Sequence, residues 1–457
     1  MSADLIVRGG HLVLPEAGVV EADLAISEGV IVDIGDCPDP DGQAEVIDAR
    51  GLHVMPGAVD THVHYGFRGD WAEHCRSDSW AAAFGGTTST LILQAMAPGQ
   101  FHELRRLGEE NSYCDFIFSP DITSEETMAF IEESVEEWGC PSFKFFLAYR
   151  DVPGAPPGDD FNHLDDGLFL DALHRLAGWE GTLAVVHAEN CDVNNRGIAR
   201  VKAEGRDGLA AWEEANPAIS EAEGIERAGR FAAHAGVPLY FVHLSGAVAL
   251  EAVGRVRERW PHVRTETCPH HLYYDLETAP GTVKFSPPLR RENDREALWE
   301  AVADGRIDSI GSDNSSSLKS AKQGDVWSMA RGGPNTAMVL PMILSEGVAK
   351  GRISLERAAE VTATTAARTF GLHPRKGSLA IGADADLAIV DLRLQRTLHA
   401  GSFNTWSDYN LYEGETFTGW PVMTVLRGTV VARDGEPAIA PGHGTFLRRS
   451  ARRRSTV

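Results

Sequence analysis

The sequence predicts an α/β fold in which a (β/α)8 (TIM) barrel is joined to a small β-sandwich domain formed by the N- and C-terminal segments. Two observations predict it. Strand-like runs separated by turns occupy both ends of the chain, whereas the long middle alternates apolar strand candidates with segments of helical composition. With 457 residues, the chain is about three times as long as a typical domain, which leaves room for one or two large cores.

Short β-rich runs begin and end the chain. Because they flank one long middle, we expect a single β domain built from residues 1–56 and 371–457, with the barrel in residues 57–370. The runs are Asp4–Arg8, Asp23–Ser27, Val30–Ile34, Ala385–Asp391 and Thr424–Ala432.

Eight strand candidates follow one another in the middle of the chain, and helix-like stretches such as Ser124–Trp138 and Glu221–Ala235 separate many of them. Eight such units over about 310 residues fit a (β/α)8 barrel with insertions. A doubly wound sheet would have the same periodicity, but no glycine-rich phosphate-binding fingerprint follows the first candidate. The candidates are Ala58–Tyr65, Thr88–Leu93, Phe116–Ile122, Ser142–Ala148, Leu183–His187, Leu239–His243, Val263–Thr267 and Ser309–Gly311.

The charge balance is acidic, because 42 Lys and Arg residues against 66 Asp and Glu residues give a formal net charge of -24. Such a surface repels phosphate backbones, so we expect no nucleic-acid partner. The C-terminal tail is a local exception. We expect it to be solvated and mobile, in preference to docking onto an acidic face of a neighbouring subunit. Its arginines are Arg448, Arg449, Arg452, Arg453 and Arg454.

No membrane-spanning or targeting segment is predicted. No apolar stretch approaches the ~18 residues of a membrane span, and the N-terminus lacks the layout of a signal peptide. The six cysteines are scattered without a C-x-x-C pair, which favours reduced thiols over a disulfide framework. We therefore expect a cytoplasmic protein with no membrane partner.

Residues that can bind metal ions lie at the C-terminal ends of several candidate strands, where barrel active sites lie. His62 and His64 are two apart on the first strand, so their side chains project to the same face. His187 and His243 end two other candidate strands, and Asp313 follows a third. Each of the five alone fits an ordinary core histidine or a capping aspartate. Their shared position at one barrel mouth favours a metal site.

Lys144 lies in an aromatic strand, Ser142–Ala148, where burying an ammonium group is costly. Desolvation lowers the pKa of a lysine and frees its amine to react. A neutral amine can capture CO2 as a carbamate, which turns a cation into a carboxylate that can bridge two metal ions. Considered alone, a lysine that reaches solvent from the end of a barrel strand is the simpler interpretation.

Together these segments resemble the amidohydrolase superfamily, and within it the hydantoinase/dihydropyrimidinase group, with dihydroorotases and allantoinases as near relatives. The likeness covers nearly the whole chain. The matching segments are Pro56–His64, Phe84–Ser89, Ser142–Tyr149, His187–Asn190, Glu266–His270, Ser286–Arg290, Gly311–Asp313, Pro374–Gly377, Gly382–Leu387, Tyr412–Gly414 and Thr418–Val422.

The resemblance implies a binuclear-metal hydrolase that opens the cyclic amide bond of a hydantoin-, dihydropyrimidine- or imide-like ring. His62 and His64 would hold one divalent ion, and His187 and His243 the other. Lys144, as a CO2-derived carbamate, would bridge the two ions. Imidazole and carboxylate ligands suit Zn²⁺, with Mn²⁺, Co²⁺ and Fe²⁺ as alternatives.

Further roles follow from the same resemblance. Asp313 would complete the first metal's ligands and shuttle the proton, Tyr149 would hydrogen-bond the developing oxyanion, and the backbone of Ser286 would contact the ring. The family also suggests a homo-oligomer, either a tetramer or a dimer. A non-catalytic scaffold is the alternative from another class, but retention of all six metal-site residues favours an enzyme. An acyclic amidase or a deaminase is a third class, and Lys144 argues against a deaminase.

Four departures from the hydantoinase pattern leave the substrate open. Asn314 replaces a usual histidine, Glu266 begins a segment nearer the allantoinase form, and Ala337 falls where glutamate is common. Arg331 occupies the place of an asparagine that contacts the ring. Its guanidinium could pair with a substrate carboxylate, as in dihydroorotate, or with an acid on the protein surface. Arg68 is a second candidate for carboxylate recognition.

Overall fold

The N-terminal segment forms one side of a β domain. The computed structural model describes residues 3–39, 42–96, 99–150 and 162–454. In the turn between the second and third strands, Glu28 and Gly29 both have a positive φ (51° and 78°), the backbone geometry that matches the twist of a tight hairpin. The strands are β1 (Leu5–Leu14), β2 (Gly18–Ser27), β3 (Val30–Gly35), β4 (Glu45–Asp48) and β5 (His53–Pro56).

The middle of the chain forms a closed ring of parallel strands, which confirms the predicted barrel. The sheet order is β14-β13-β12-β11-β9-β8-β7-β6-β15. Because β14 pairs with β13 and β15 pairs with β6, the single segment 309–315 joins the last strand to the first. The strands are β6 (Ala58–His64), β7 (Thr87–Gln94), β8 (Asp115–Ile122), β9 (Ser142–Phe146), β10 (Trp179–Glu180, outside the ring), β11 (Leu183–His187), β12 (Leu239–Phe241), β13 (Val263–Thr267), β14 (Ser309–Ile310) and β15 (Asn314–Ser315).

Helices cover the outside of the ring, so strands such as β6, β8 and β9 are buried on both faces. Polar caps begin several of the helices; the Asp70 side chain, for example, accepts a hydrogen bond from the backbone of Glu73. The helices are α1 (Trp71–Phe84), α2 (Gln100–Asn111), α3 (Glu125–Met128), α4 (Ile131–Glu133), α5 (Asp166–Leu176), α6 (Cys191–Ala203), α7 (Leu209–Ala215), α8 (Ala218–Ala235), α9 (Ala247–Arg259), α10 (Pro269–Tyr273), α11 (Glu292–Asp304), α12 (Val339–Met342), α13 (Leu355–Ala359) and α14 (Thr365–Thr369). Shorter 3-10 turns (Lys319–Lys322, Thr336–Met338) and π segments (Ser134–Trp138, Ile343–Val348, Glu360–Thr364) occur between them.

The C-terminal segment completes the β domain, as the sequence predicts. Its strands are β16 (Leu387–Thr397), β17 (Thr416–Leu426), β18 (Thr429–Arg433), β19 (Glu436–Pro437) and β20 (Arg452–Arg453). β16 pairs antiparallel with β5, so both ends of the chain share one sheet in the order β19-β18-β17-β16-β5-β1-β2-β3, with β4 beside β1. Val7, Val54, Leu387 and Val425 pack in its core. The division at residues 56 and 370 stays a prediction.

A buried ion cluster connects the barrel to the β domain. The Lys376 ammonium lies 2.6 Å from an oxygen of Asp115, at the start of β8, and 2.7 Å from an oxygen of Asp386, just before β16. Asp384 and Arg427 complete the cluster. Because these charges are removed from water, each depends on its partners inside the protein.

The predicted mobility of the C-terminal tail is wrong, because the tail packs against this same chain, although Arg452 and Arg453 are exposed as predicted. Arg449 is buried and donates to the backbone oxygen of Phe118 at 2.7 Å. Arg448 donates to the backbone oxygen of Glu136 at 2.6 Å. β20 pairs with β10, and the Phe446 ring packs 5.7 Å from that of Phe118. Carbonyl groups and aromatic rings hold the tail in place, and a count of charges does not reveal such partners. No helix in the described part of the chain could cross a membrane.

Candidate metal centre and substrate pocket

The two histidines of β6 and the aspartate between β14 and β15 form a compact group of metal-binding atoms. His62 Nε2 lies 3.1 Å from His64 Nε2 and 3.2 Å from an Asp313 carboxylate oxygen. One ligand atom from each of the three residues lies within 4.8 Å of the others. The alternation of side chains along β6 places both imidazoles on the inner face, as the sequence predicts.

Two more histidines lie beside this group. The His243 ring is 5.3 Å from that of His62 and 4.5 Å from that of His187, measured between ring centroids. Lys144, fully buried on β9, lines the same pocket. The structure therefore brings together all six residues that the sequence proposes as metal ligands.

The ionisation of these groups fits metal binding. Burial, reinforced by the positive charge of Lys144, lowers the pKa of His62 well below its ordinary value, so the imidazole is neutral. Burial likewise lowers the pKa of Lys144 to about 8. Lys144 Nζ, His64 Nδ1 and His243 Nδ1 are buried atoms with no hydrogen-bond partner among the described residues. Buried nitrogen atoms without a hydrogen-bond partner, close to other metal-binding side chains, are what a cation site requires.

Carboxylates behind the histidines fix which ring nitrogen can face the centre. His62 Nδ1 lies 2.8 Å from Glu266 Oε1, and His187 Nε2 lies 2.7 Å from Glu189 Oε2. These pairs leave Nε2 of His62 and Nδ1 of His187 as the nitrogens that can bind a metal ion. Such outer carboxylates orient metal-binding histidines and increase their basicity.

Three of the candidate residues have a left-handed backbone, which is uncommon outside glycine. φ is 42° at His243, 51° at Asp313 and 69° at Tyr149. Each position costs conformational energy, of order 1–3 kcal/mol, that the surrounding structure must offset. Strained residues of this kind cluster at functional sites.

The three predicted substrate-binding residues line the same pocket as the metal-site residues. The Tyr149 ring is 4.9 Å from that of His187, and the Arg331 guanidinium carbon lies 4.4 Å from the centroid of the Tyr149 ring. Burial raises the pKa of Tyr149, so its hydroxyl stays protonated and can donate a hydrogen bond. Arg68 also lines the pocket. The structure thus places Arg331 in the lining of the pocket.

Comparison with known proteins decides the family. Residues 255–431 match the model of the Amidohydrolase family. Over 97% of its length, the chain is 34% identical to a D-hydantoinase of Geobacillus stearothermophilus, covering 96% of that protein. It is also 34% identical to an allantoinase of Deinococcus radiodurans, over 98% of this chain and 99% of the relative. The chain belongs to the amidohydrolase family.

Solved structures that resemble this amidohydrolase belong to the same group of enzymes as its sequence relatives. The crystal structure of a dihydropyrimidinase from Brevibacillus agri superimposes with a TM-score of 0.88 at 31% identity, covering 98% of this chain and 99% of that one. An L-hydantoinase from Arthrobacter aurescens gives a TM-score of 0.90 at 31% identity, with 98% and 100% covered. The resemblance to hydantoinases, dihydropyrimidinases and allantoinases is therefore confirmed.

Sequence reasoning missed several residues that support the amidohydrolase site. Glu189 lies two residues beyond His187 and Glu266 lies next to the end of a predicted strand, so both had a signal in the sequence. Asp78 and Asn335 had no such signal in the sequence, because they reach the site from α1 and from a turn before α12. Their contacts become visible only in the folded chain.

Proposed function

We propose that this amidohydrolase opens the amide bond of a small hydantoin-, dihydropyrimidine- or imide-like ring, using two divalent metal ions. The convergence of four imidazoles, one carboxylate and a buried lysine on one pocket is the observation that supports the proposal. The proposed ligands are His62, His64, Lys144, His187, His243 and Asp313. Zn²⁺ is the best match to these ligands, with Mn²⁺, Co²⁺ or Fe²⁺ as alternatives.

Lys144 enters this proposal as a carbamate. With a pKa near 8, a sizeable fraction of its amine is neutral at physiological pH. The nitrogen lone pair forms a bond to the carbon of CO2, and one N–H proton passes to solvent. The product is an anionic N-carboxylate in place of a buried cation, which removes the cost of an ammonium among aromatic rings.

Residues of this chain would transfer the proton, stabilise the oxyanion and contact the ring. When bound, the metal ions lower the pKa of a water molecule and polarise the amide carbonyl. The Asp313 side chain is 14% exposed to the pocket, so it can accept a proton from the attacking water and return it to the leaving nitrogen. The Tyr149 hydroxyl donates to the developing oxyanion, and Ser286 contacts the ring.

A substrate panel tests the proposal. Hydantoin, dihydrouracil, allantoin, dihydroorotate and succinimide are incubated with the protein, Zn²⁺ or Mn²⁺, and bicarbonate. We expect ring opening of at least one compound, and a loss of about 10²–10⁴-fold in kcat for Asp313→Asn, since that change removes the proton acceptor. The exposed Lys202→Ala variant serves as a control that keeps full activity. Hydrolysis that is unchanged in Asp313→Asn contradicts the assignment.

A ring that carries a carboxylate is the second candidate substrate, and Arg331 favours it. Two buried lysines hold the loop of Arg331 in place: Lys322 donates to the carbonyl oxygens of residues 330 (2.9 Å) and 332, and Lys284 to that of residue 329 (2.7 Å). Asp313 is the one carboxylate among the described residues that line the pocket, whereas Arg68 and Arg331 add positive charge. This candidate covers dihydroorotase-type substrates, while allantoin represents the polar, uncharged alternative.

Hydantoin-5-acetate and its amide, hydantoin-5-acetamide, separate the two candidates. If Arg331 binds the carboxylate, Arg331→Gln lowers the acid-to-amide ratio of kcat/KM by about 10–100-fold, because a hydrogen bond to a charged group contributes about 1.5–3 kcal/mol. The exposed Arg393→Gln leaves the ratio unchanged. A ratio that is equal in the wild type and Arg331→Gln removes the second candidate.

We further propose a cytoplasmic homotetramer or homodimer. All six cysteines are unpaired and buried, which fits a reducing compartment. The assembly rests on the family resemblance alone, and light scattering coupled to gel filtration measures it.

A further inference from the structure

Asp313 lies in the short segment between β14 and β15 with its backbone at a φ of 51°. This conformation costs energy, which contacts of the neighbouring residues can offset. On the preceding side, the backbone N–H of Ser312 donates to an Asp60 carboxylate oxygen at 2.9 Å, and the Ser312 hydroxyl donates to the backbone oxygen of His62 at 3.0 Å. These contacts tie the segment to β6.

Asn335 contacts the residues on both sides of Asp313. Its side-chain amide donates to the backbone oxygen of Ser312 at 2.7 Å, and its backbone N–H donates to the side-chain oxygen of Asn314 at 2.9 Å. The Tyr412 hydroxyl donates to the remaining Asn335 oxygen at 2.8 Å. Asn335 is buried, so these bonds form away from water, where they hold geometry most firmly.

Asp78 anchors the other end of this network. The Asn314 side-chain amide donates to an Asp78 carboxylate oxygen at 2.9 Å, so both polar atoms of the Asn314 side chain have a partner. Both residues are buried. A carboxylate in this environment needs its donor, since an unpaired buried charge is costly.

We propose that Asn335, Asn314 and Asp78 form a positioning network that holds the Asp313 carboxylate in place for proton transfer. The proposal rests on the function proposed above. None of the three lines the pocket, whereas Tyr149, Ser286 and the candidate metal ligands do. Disturbing the network should therefore change kcat and the binding of metal at Asp313, and leave the KM for the ring nearly unchanged.

A charge exchange tests this network. Asn314→Asp alone sets two carboxyl groups against each other in a buried site, and we expect kcat to fall about 100-fold with KM within about threefold. In the double variant Asn314→Asp/Asp78→Asn, the new amide at position 78 donates to the new carboxylate at 314, whose other oxygen still accepts from the Asn335 backbone. We expect kcat to return to within about tenfold of the wild type.

Cobalt binding gives a second readout that is independent of turnover. Titration of the metal-free protein with Co²⁺, followed by visible absorption, should show weaker binding in Asn314→Asp by about tenfold or more and recovery in the double variant. Asn111→Asp, at the end of α2, is the matched control and should change neither kcat nor cobalt binding. Thermal melting confirms that each variant is folded.

The outcomes separate the two proposals. If the wild type opens no ring but Co²⁺ binding falls and recovers as expected, the proposed function fails and the network stands. If the wild type opens rings while Asn314→Asp matches it in kcat and cobalt binding, the network proposal is overturned. A folded double variant no better than Asn314→Asp overturns it as well.

Discussion

Glu266 provides a test of the proposal that the clustered histidines bind metal ions. Its Oε1 lies 2.8 Å from His62 Nδ1 and accepts from the His243 backbone N–H at 3.1 Å. Its Oε2 accepts from the hydroxyls of Thr61 and Tyr240. A glutamine can keep this arrangement, because its oxygen can face His62 and His243 while the two hydroxyls rotate to accept from its amide. Glu266→Gln therefore removes the capacity to carry a negative charge while the hydrogen bonds remain.

The expected effect falls on metal affinity rather than on folding. Burial raises the pKa of Glu266 to about 8, so without a bound cation the carboxyl is mostly neutral at pH 7, as glutamine is. With a cation bound, the ionised carboxylate strengthens the His62 ligand, and losing it should weaken binding about 10–100-fold, or about 1.4–2.7 kcal/mol.

Competition with a chromophoric chelator measures the Zn²⁺ affinity, and thermal melting of the metal-free protein measures stability. We expect weaker Zn²⁺ binding in Glu266→Gln with little change in Tm. Glu251→Gln, on the exposed face of α9, is the matched control and should change neither. Zn²⁺ affinity within twofold of the wild type would refute the reasoning.

Three further predictions concern the ion cluster and the C-terminal tail. Lys376→Met leaves Asp386 buried without a cation and Asp115 with Arg427 alone. It should lower the free energy of unfolding in urea by about 3–5 kcal/mol, whereas the exposed Lys202→Met should not; equal midpoints would contradict this. Lys376 and Arg427 together outweigh burial and lower the pKa of Asp115, so the folded state holds this proton less tightly than the unfolded state. The contribution of Asp115 to stability is therefore present above about pH 4 and is lost as the pH falls through the folded pKa. Unfolding midpoints measured in urea over a series of acid pH values should show this loss. Arg449→Ala removes the hydrogen bond to the Phe118 carbonyl and should speed the tryptic removal of the C-terminal tail. Prompt tryptic loss of the tail from the folded wild type would contradict the packing of the tail against the barrel.

The barrel and the clustering of the candidate metal ligands could be predicted because both follow from local patterns. His62 and His64 share a face through strand alternation, and His187 ends a clearly apolar strand. Strand ends were harder to predict. The predicted strand Leu239–His243 ends at Phe241 in the structure, and His243 turns away with a φ of 42°. That bend depends on what packs around the histidine, which the strand sequence does not contain.

Contacts between distant parts of the chain could not be predicted from one sequence. Asn314 and Asp78 are 236 residues apart, and nothing near either residue indicates the other. The sequence predicts that the tail arginines are solvated, yet the Arg449 side chain donates a hydrogen bond to the Phe118 carbonyl inside the protein. Charge and periodicity describe a segment, whereas these contacts depend on which surfaces the barrel brings together.

The central claim is that the six clustered residues bind two metal ions with the help of Lys144. Elemental analysis of the wild type and Lys144→Ala, purified side by side in bicarbonate buffer, tests it most directly. The account predicts about two equivalents of metal per wild-type chain, and about one or fewer in Lys144→Ala, because the bridging group is lost. A wild-type protein that contains no metal and opens rings in the presence of a chelator would contradict it.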